Sequence, residues 1–226
     1  LIIVILSRHS NCQVIVGVDM ENADHLLRVF DQVQPDVVVN CVGIVKQLAE
    51  SEDALSTIPL NSLLPHRLAR MCAVNNSRLI HISTDCVFSG RRGGYVESDQ
   101  PDAYDLYGRS KLLGEVCYAN TITLRTSIIG HELNSSQSLV DWFLSQSGVV
   151  EGYKKAIFSG LTTFELARVI YDYILQNPNL RGLYHISADP INKNDLLLLL
   201  KNVYEKFWEK LGCMDYCVVM GYTILK

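Results

Sequence analysis

Two uninterrupted β-branched runs, Val14-Ile15-Val16-Gly17-Val18 and Asp36-Val37-Val38-Val39-Asn40-Cys41-Val42-Gly43, constrain this chain more than any other feature. Such runs suit strands buried on both faces of a parallel sheet, because a strand with one wet face alternates apolar and polar residues. Between them, Leu26, Leu27, Phe30 and Val33 recur at helical spacing and stop before Pro35. The same grammar continues. A helix is expected over 61–72, a strand over 78–83, and a helix over 107–118 that buries Leu112, Leu113, Val116 and Cys117. A strand over 122–127, a helix over 164–175 and a strand over 182–187 follow. Alternating strands and helices predict an open, doubly wound α/β sheet, which binds ligands beyond the carboxyl ends of its strands.

Composition removes several function classes. Lys and Arg total 20 against 24 Asp and Glu, a net charge of −4, and the nearest thing to a basic stripe is Arg91-Arg92. Phosphate-backbone binding needs more, so no nucleic-acid partner is expected. No apolar run approaches the roughly 18 residues of a membrane span, so no membrane partner is expected either. The seven Cys form no C-x-x-C and several sit in apolar runs, which reads as a reduced, cytoplasmic protein. No His, Cys and Asp cluster has zinc-ligand spacing, so no metal is expected. The chain begins without Met inside an apolar run. Further N-terminal sequence is therefore expected, and no targeting signal is read.

Tyr107 and Lys111 stand at i and i+4 on one expected helix, so they share a face. An ammonium beside a phenol stabilises phenolate and makes the tyrosine a better proton donor near neutrality. With eleven Tyr and nine Lys in 226 residues, about 0.4 such pairs arise by chance. Tyr222 and Lys226 are read as that coincidence. Ser83-Thr84-Asp85 ends a buried strand, where the Thr84 hydroxyl can join Tyr107 on one substrate carbonyl oxygen. Thr84-Asp85 reads equally well as a turn or helix-cap pair.

Five blocks in order, Pro35 to Asn40, His81 to Phe88, Tyr107 to Glu115, Leu124 to Ser127 and Gly182 to His185, resemble the dTDP-4-dehydrorhamnose reductase family of nucleotide-sugar short-chain dehydrogenases/reductases. The resemblance runs from about Asp19 to about Leu200. It implies a doubly wound, Rossmann-like, mostly parallel α/β sheet with a smaller C-terminal substrate-binding lobe. Residues 1–130 with 161–187 would form the dinucleotide-binding domain, and 131–160 with 188–226 the lobe. It further implies NADPH or NADH as cofactor, a nucleotide-sugar substrate and a homodimer. Thr84, Tyr107 and Lys111 would be the catalytic set. Asp19 and Met20 would lie along the adenine, Cys41, Val42 and Gly43 would pass under the cofactor, and Ser83, Arg125, Thr126 and Ser127 would flank it. Asn61 would sit behind the site, and Asp85, Cys86 and Trp142 would meet the substrate. The implied reaction reduces a 4-keto deoxysugar nucleotide used for cell-envelope polysaccharide. Alternatives are a non-catalytic NAD(P)-binding regulatory module and an epimerase-reductase using Cys86.

The sequence departs from the family in two places. No G-x-G-x-x-G or G-x-x-G-x-x-G precedes Asn40, where Gly17 stands alone; a glycine turn there would cradle the pyrophosphate. Either Leu1 to Leu6 is the first strand joined directly to later residues, or the turn is missing and dinucleotide affinity is low. Cys86 and Ile128 replace aromatic residues that would face the sugar, which puts dTDP-4-dehydrorhamnose itself in doubt, and the lack of a Glu at 86 argues against dehydration. Cys86 reads as an acid/base or as a packed thiol. His131 is expected as a solvated loop residue, and His81 and His185 as core or edge residues. Trp142 and Phe143 either stack on a base or pack on the sheet. Lys46, Lys154 and Lys155 either meet a diphosphate or are solvated. Ser7-Arg8, at a strand end, would favour NADPH.

Overall fold

The structure is a computed structural model that describes residues 2–5, 13–132 and 137–210. The two first strands, β1 (Ile2–Ile5) and β2 (Gln13–Val16), pair antiparallel with Ile2 opposite Val16. This corrects the expectation that they join the parallel sheet. Seven residues separate them, short of the dozen or so that a parallel crossover requires. Helix α1 (Ala23–Val33) begins at Asn22, whose side chain accepts from the Asp24 and His25 amides. It buries Leu26 and Phe30 and ends at Gln34 in the left-handed conformation.

Strand β3 (Val37–Asn40) leads into a helical run that starts earlier than its pattern suggests. Asp53 caps α2 (Ala54–Thr57), a π-turn covers Ile58–Leu63, and α3 (Leu64–Val74) completes it. The widened turn has a local cause: Pro65 has no N–H to offer the Asn61 carbonyl four residues back. Strand β4 (Arg78–Thr84) is followed by a 3₁₀ turn at Asp85–Val87 and then by α4 (Leu106–Leu113). That helix stops at Gly114 instead of reaching Tyr118. A Cβ on Gly114 would lie 2.0 Å from the Asn61 carbonyl oxygen, so helix packing and helix end coincide there. Val116 is buried, whereas Leu113 and Cys117 are exposed.

Strand β5 (Thr121–Thr126) is buried along its whole length. After it come β6 (Ile128–Ile129), α5 (Leu139–Ser145), β7 (Ile157–Phe158), β8 (Leu161–Thr162) and α6 (Thr163–Val169), which continues as a π-turn over Ile170–Ile174. Strand β9 (Gly182–His185), β10 (Ile191–Asn192) and α7 (Lys193–Lys210) complete the described chain.

Strands β3, β4, β5 and β9 form, in that order, a wholly parallel sheet. Its core gathers Leu26, Leu64, Leu68, Cys72, Leu79 and Val116. The chain divides into two compact units. One runs to Thr126 and includes Asn177–Ile186; the other takes Ser127–Gln176 and the chain from Ser187. The second unit thus holds 161–176 as well, because β8 pairs with β6. In that unit His131 is the exposed loop residue expected, and it bonds Asp141 and the Tyr204 hydroxyl through its two ring nitrogens. Ser7, Arg8, Tyr222 and Lys226 lie outside the described residues.

Candidate active site

Thr84, at the carboxyl end of β4, serves both of its expected roles. Its hydroxyl accepts from the Cys86 amide at 3.1 Å, which caps the 3₁₀ turn, and donates to Asp85 Oδ1 at 3.3 Å. The same side chain also acts on the phenol of Tyr107, in the first turn of α4. The two hydroxyls therefore meet at the sheet edge where ligands bind in such folds.

Position Tyr107 owes much to its neighbours. Asp105 caps α4, its Oδ1 accepting from the Gly108 amide at 2.7 Å. Gly108 has no room for a side chain, since a Cβ would lie 2.4 Å from the Cys86 carbonyl oxygen. Burial opposes ionisation of Asp105, but the Gly108 amide and the Lys46 ammonium hold its carboxyl below the ordinary range. Burial lifts the Tyr107 phenol well above its usual value, and the neighbouring Cys86, Asp85 and Asp105 add to the effect. Lys111, the i+4 ammonium expected to ease that phenol, is buried and donates to the Ile82 carbonyl at 2.8 Å.

Burial lowers the Lys111 ammonium to about 8. An unfolded lysine titrates near 10.4. The folded state thus disfavours the charged form, a cost fully present below pH 8 and relieved as pH rises from about 8 to about 10.4. Urea midpoints are expected to show this as an alkaline gain that Lys111→Met removes.

Asn61, fully buried in the π-turn, joins two elements of the site. Its Oδ1 accepts from the Ile44 amide at 2.8 Å, and its Nδ2 donates to the Ile44 carbonyl and to Ser110 Oγ. The loop after β3 is thereby held against α4. Gly43 fits beside it because a Cβ there would lie 2.8 Å from Asn61 Oδ1. Cys41 and Val42 are half-buried, and burial pushes the Cys41 thiol up to about 11. Asp19 and Met20 line a cleft of about 360 Å³ with Gly17, Val18, Glu21 and Leu60.

A second buried group flanks Thr84. Ser83 Oγ donates to Glu115 Oε1 at 2.8 Å, and Arg125 grips both oxygens of Glu115 at 2.7 Å. The Arg125 guanidinium lies 5.1 Å from the centre of the Phe88 ring, which stacks on Tyr95 at 4.3 Å. Arg125 is therefore engaged in an ion pair at 6% exposure. Thr126 is also buried. Sequence reasoning gave Glu115 no role. Its signal was indirect: Ser83 and Arg125 are register partners in adjacent parallel strands.

The remaining expected residues are placed as follows. Burial and Asp85 push the half-buried Cys86 thiol up, and burial also raises the Asp85 carboxyl. Ser127 and Trp142 belong to the second unit, where Trp142 is 39% exposed on α5. Lys46 is half-exposed, and its Nζ lies 2.9 Å from Asp105 Oδ2. Among the described residues no group of three or more His, Cys, Asp or Glu gathers as a metal site. No described helix is long and apolar enough to cross a membrane.

Comparison with known proteins adds three findings. The family model described as the RmlD substrate binding domain matches residues 4–193. The chain is similar to the methionine adenosyltransferase 2 subunit beta of Danio rerio, 31% identical over 179 residues, and to the dTDP-4-dehydrorhamnose reductase of Mycobacterium tuberculosis, 43% identical over 86 residues. These alignments cover 73% and 35% of this chain and 54% and 28% of the relatives. The chain thus spans about half or less of the length of those curated relatives. Its fold is similar to that of dTDP-4-dehydrorhamnose reductase from Bacillus anthracis str. Ames, solved in complex with NADP, with a TM-score of 0.71 and 21% identity over 83% of this chain and 69% of that one.

Proposed function

From the premise that this chain belongs to the RmlD substrate binding domain family, we propose that it is an NAD(P)H-dependent reductase of a 4-keto nucleotide sugar, serving polysaccharide precursor synthesis. One observation carries the reading: the hydroxyls of Thr84 and Tyr107 meet at the carboxyl end of a parallel strand, with Lys111 one helical turn beyond.

The residues fit a nicotinamide dinucleotide. Gly43 leaves backbone unobstructed beside Asn61, and the cleft at Asp19 and Met20 offers a place for the adenine end. When bound, that cofactor supplies the hydride. Lys111 and Tyr107 would hold its ribose, with Cys41, Val42, Ser83, Thr126 and Ser127 along it. Thr84 orients the substrate oxygen by donating a hydrogen bond, and Tyr107 gives that oxygen its proton. Asp85 and Cys86 face the sugar. Burial keeps the Cys86 thiol protonated at neutral pH, which supports a packing role over epimerisation. A cytoplasmic location and a homodimer belong to the same proposal; the four free cysteines among the described residues agree with a reducing compartment.

The test is oxidation of NADH or NADPH in the presence of a panel of 4-keto sugar nucleotides, with turnover expected for at least one. A second reading, a non-catalytic dinucleotide-binding module, is favoured by the similarity to methionine adenosyltransferase 2 subunit beta over 73% of this chain. Tight cofactor binding without turnover across the panel would select it.

A further inference from the structure

We infer that Lys46 is a positioning residue of this site: its ion pair with the Asp105 cap ties the loop after β3 to the first turn of the helix carrying Tyr107 and offsets the negative charge gathered beside that phenol. The inference rests on reading the site as a reductase's.

The tie is geometric. Asp105 uses both carboxylate oxygens, Oδ1 on the Gly108 amide at 2.7 Å and Oδ2 on Lys46 Nζ at 2.9 Å. Lys46 stands two residues beyond Ile44, whose amide and carbonyl are both held by Asn61. The loop is thus fixed to α4 at a buried point and at an exposed one. Gly108 lies against the Cys86 carbonyl with no space for a Cβ. Any movement of the helix start is therefore felt at the turn carrying Asp85 and Cys86. An exposed ion pair of this kind adds little to stability, so its consequence lies in placement and charge.

The charges facing Tyr107 come from three elements. The turn after β4 brings the Asp85 carboxyl and the Cys86 thiol, and the N-cap of α4 brings Asp105. Lys111, further along the helix, is committed to the Ile82 carbonyl. The loop after β3 brings Lys46, which interacts with Asp105, Cys86 and Tyr104. Without that cation, Asp105 acts uncompensated and the phenol holds its proton more tightly.

The experiment compares Lys46→Met, Lys46→Arg, Asp105→Asn and the Lys46→Met/Asp105→Asn pair. Asn caps a helix as well as Asp does, so the cap survives. A phenol that holds its proton more tightly is a weaker acid, so Lys46→Met is expected to lower kcat about twofold at neutral pH, and Lys46→Arg to leave it unchanged. In the Asp105→Asn background, Lys46→Met should change nothing. An equal effect in that background, a rise in KM with an unchanged kcat, or no effect at all would overturn the proposal.

A parallel readout needs no turnover. The pH dependence of Cys86 alkylation by iodoacetamide, followed on its own peptide, should shift to higher pH in Lys46→Met. If the wild-type protein reduces no sugar nucleotide, the reductase reading fails by itself. The charge role of Lys46 then stands or falls on whether that alkylation profile moves.

Discussion

Tyr107→Phe is expected to lower turnover with an active 4-keto sugar nucleotide by about 10²–10⁴-fold, the range lost with a positioned general acid. The substitution removes one hydroxyl and keeps the half-buried ring in the first turn of α4. Thr84 retains its bonds to the Cys86 amide and to Asp85, so the strand end stays in place. Cofactor affinity should change little, because the ribose keeps Lys111. Measured kcat should fall while dinucleotide binding, followed by fluorescence quenching, persists. Undiminished turnover would remove Tyr107 from its role as acid.

Glu115→Ala carries the largest expected loss of stability, about 3–5 kcal/mol, because it strands the Arg125 guanidinium in a buried position. The pair is only 6% and 7% exposed, so water cannot take the place of the missing carboxylate. Ser83 loses its acceptor as well. The wild-type pair is not itself a great source of stability, since its attraction is set against the desolvation of both charges. Replacing both partners, Glu115→Leu with Arg125→Met, should therefore recover most of what Glu115→Ala loses. Urea unfolding of the single and double variants checks this; a single variant within about 1 kcal/mol of wild type would contradict a buried, uncompensated Arg125.

The parallel sheet was legible because Val37 to Val39, and Leu79 with Ile80, put apolar side chains on both faces, the pattern that double coverage imposes. Its order needed only sequential neighbours. The antiparallel pairing of Ile2–Ile5 with Gln13–Val16 was not legible from apolarity, which does not encode direction; the short connection carried that information. The end of α4 was hidden for another reason. Gly114 closes the helix through a contact with Asn61, more than fifty residues earlier, and local spacing of Val116 and Cys117 pointed onward. At the candidate site, strand end and helix spacing singled out Thr84, Tyr107 and Lys111. The direction of the Lys111 side chain was not, because the carbonyl that captures it belongs to β4. Lys46 and Asp105 lie 59 residues apart, and no pattern in either segment announces the pair.

Asn61 takes hold of Ile44 by its main chain alone, amide and carbonyl together, as a neighbouring strand would. The grip is indifferent to what side chains the surrounding loop carries. The side chains of Ile44 and of the exposed Val45 are thereby free to vary in shape and polarity while the path of the loop stays constant. Substitution at those two positions would reshape the surface there and leave the reacting groups undisturbed.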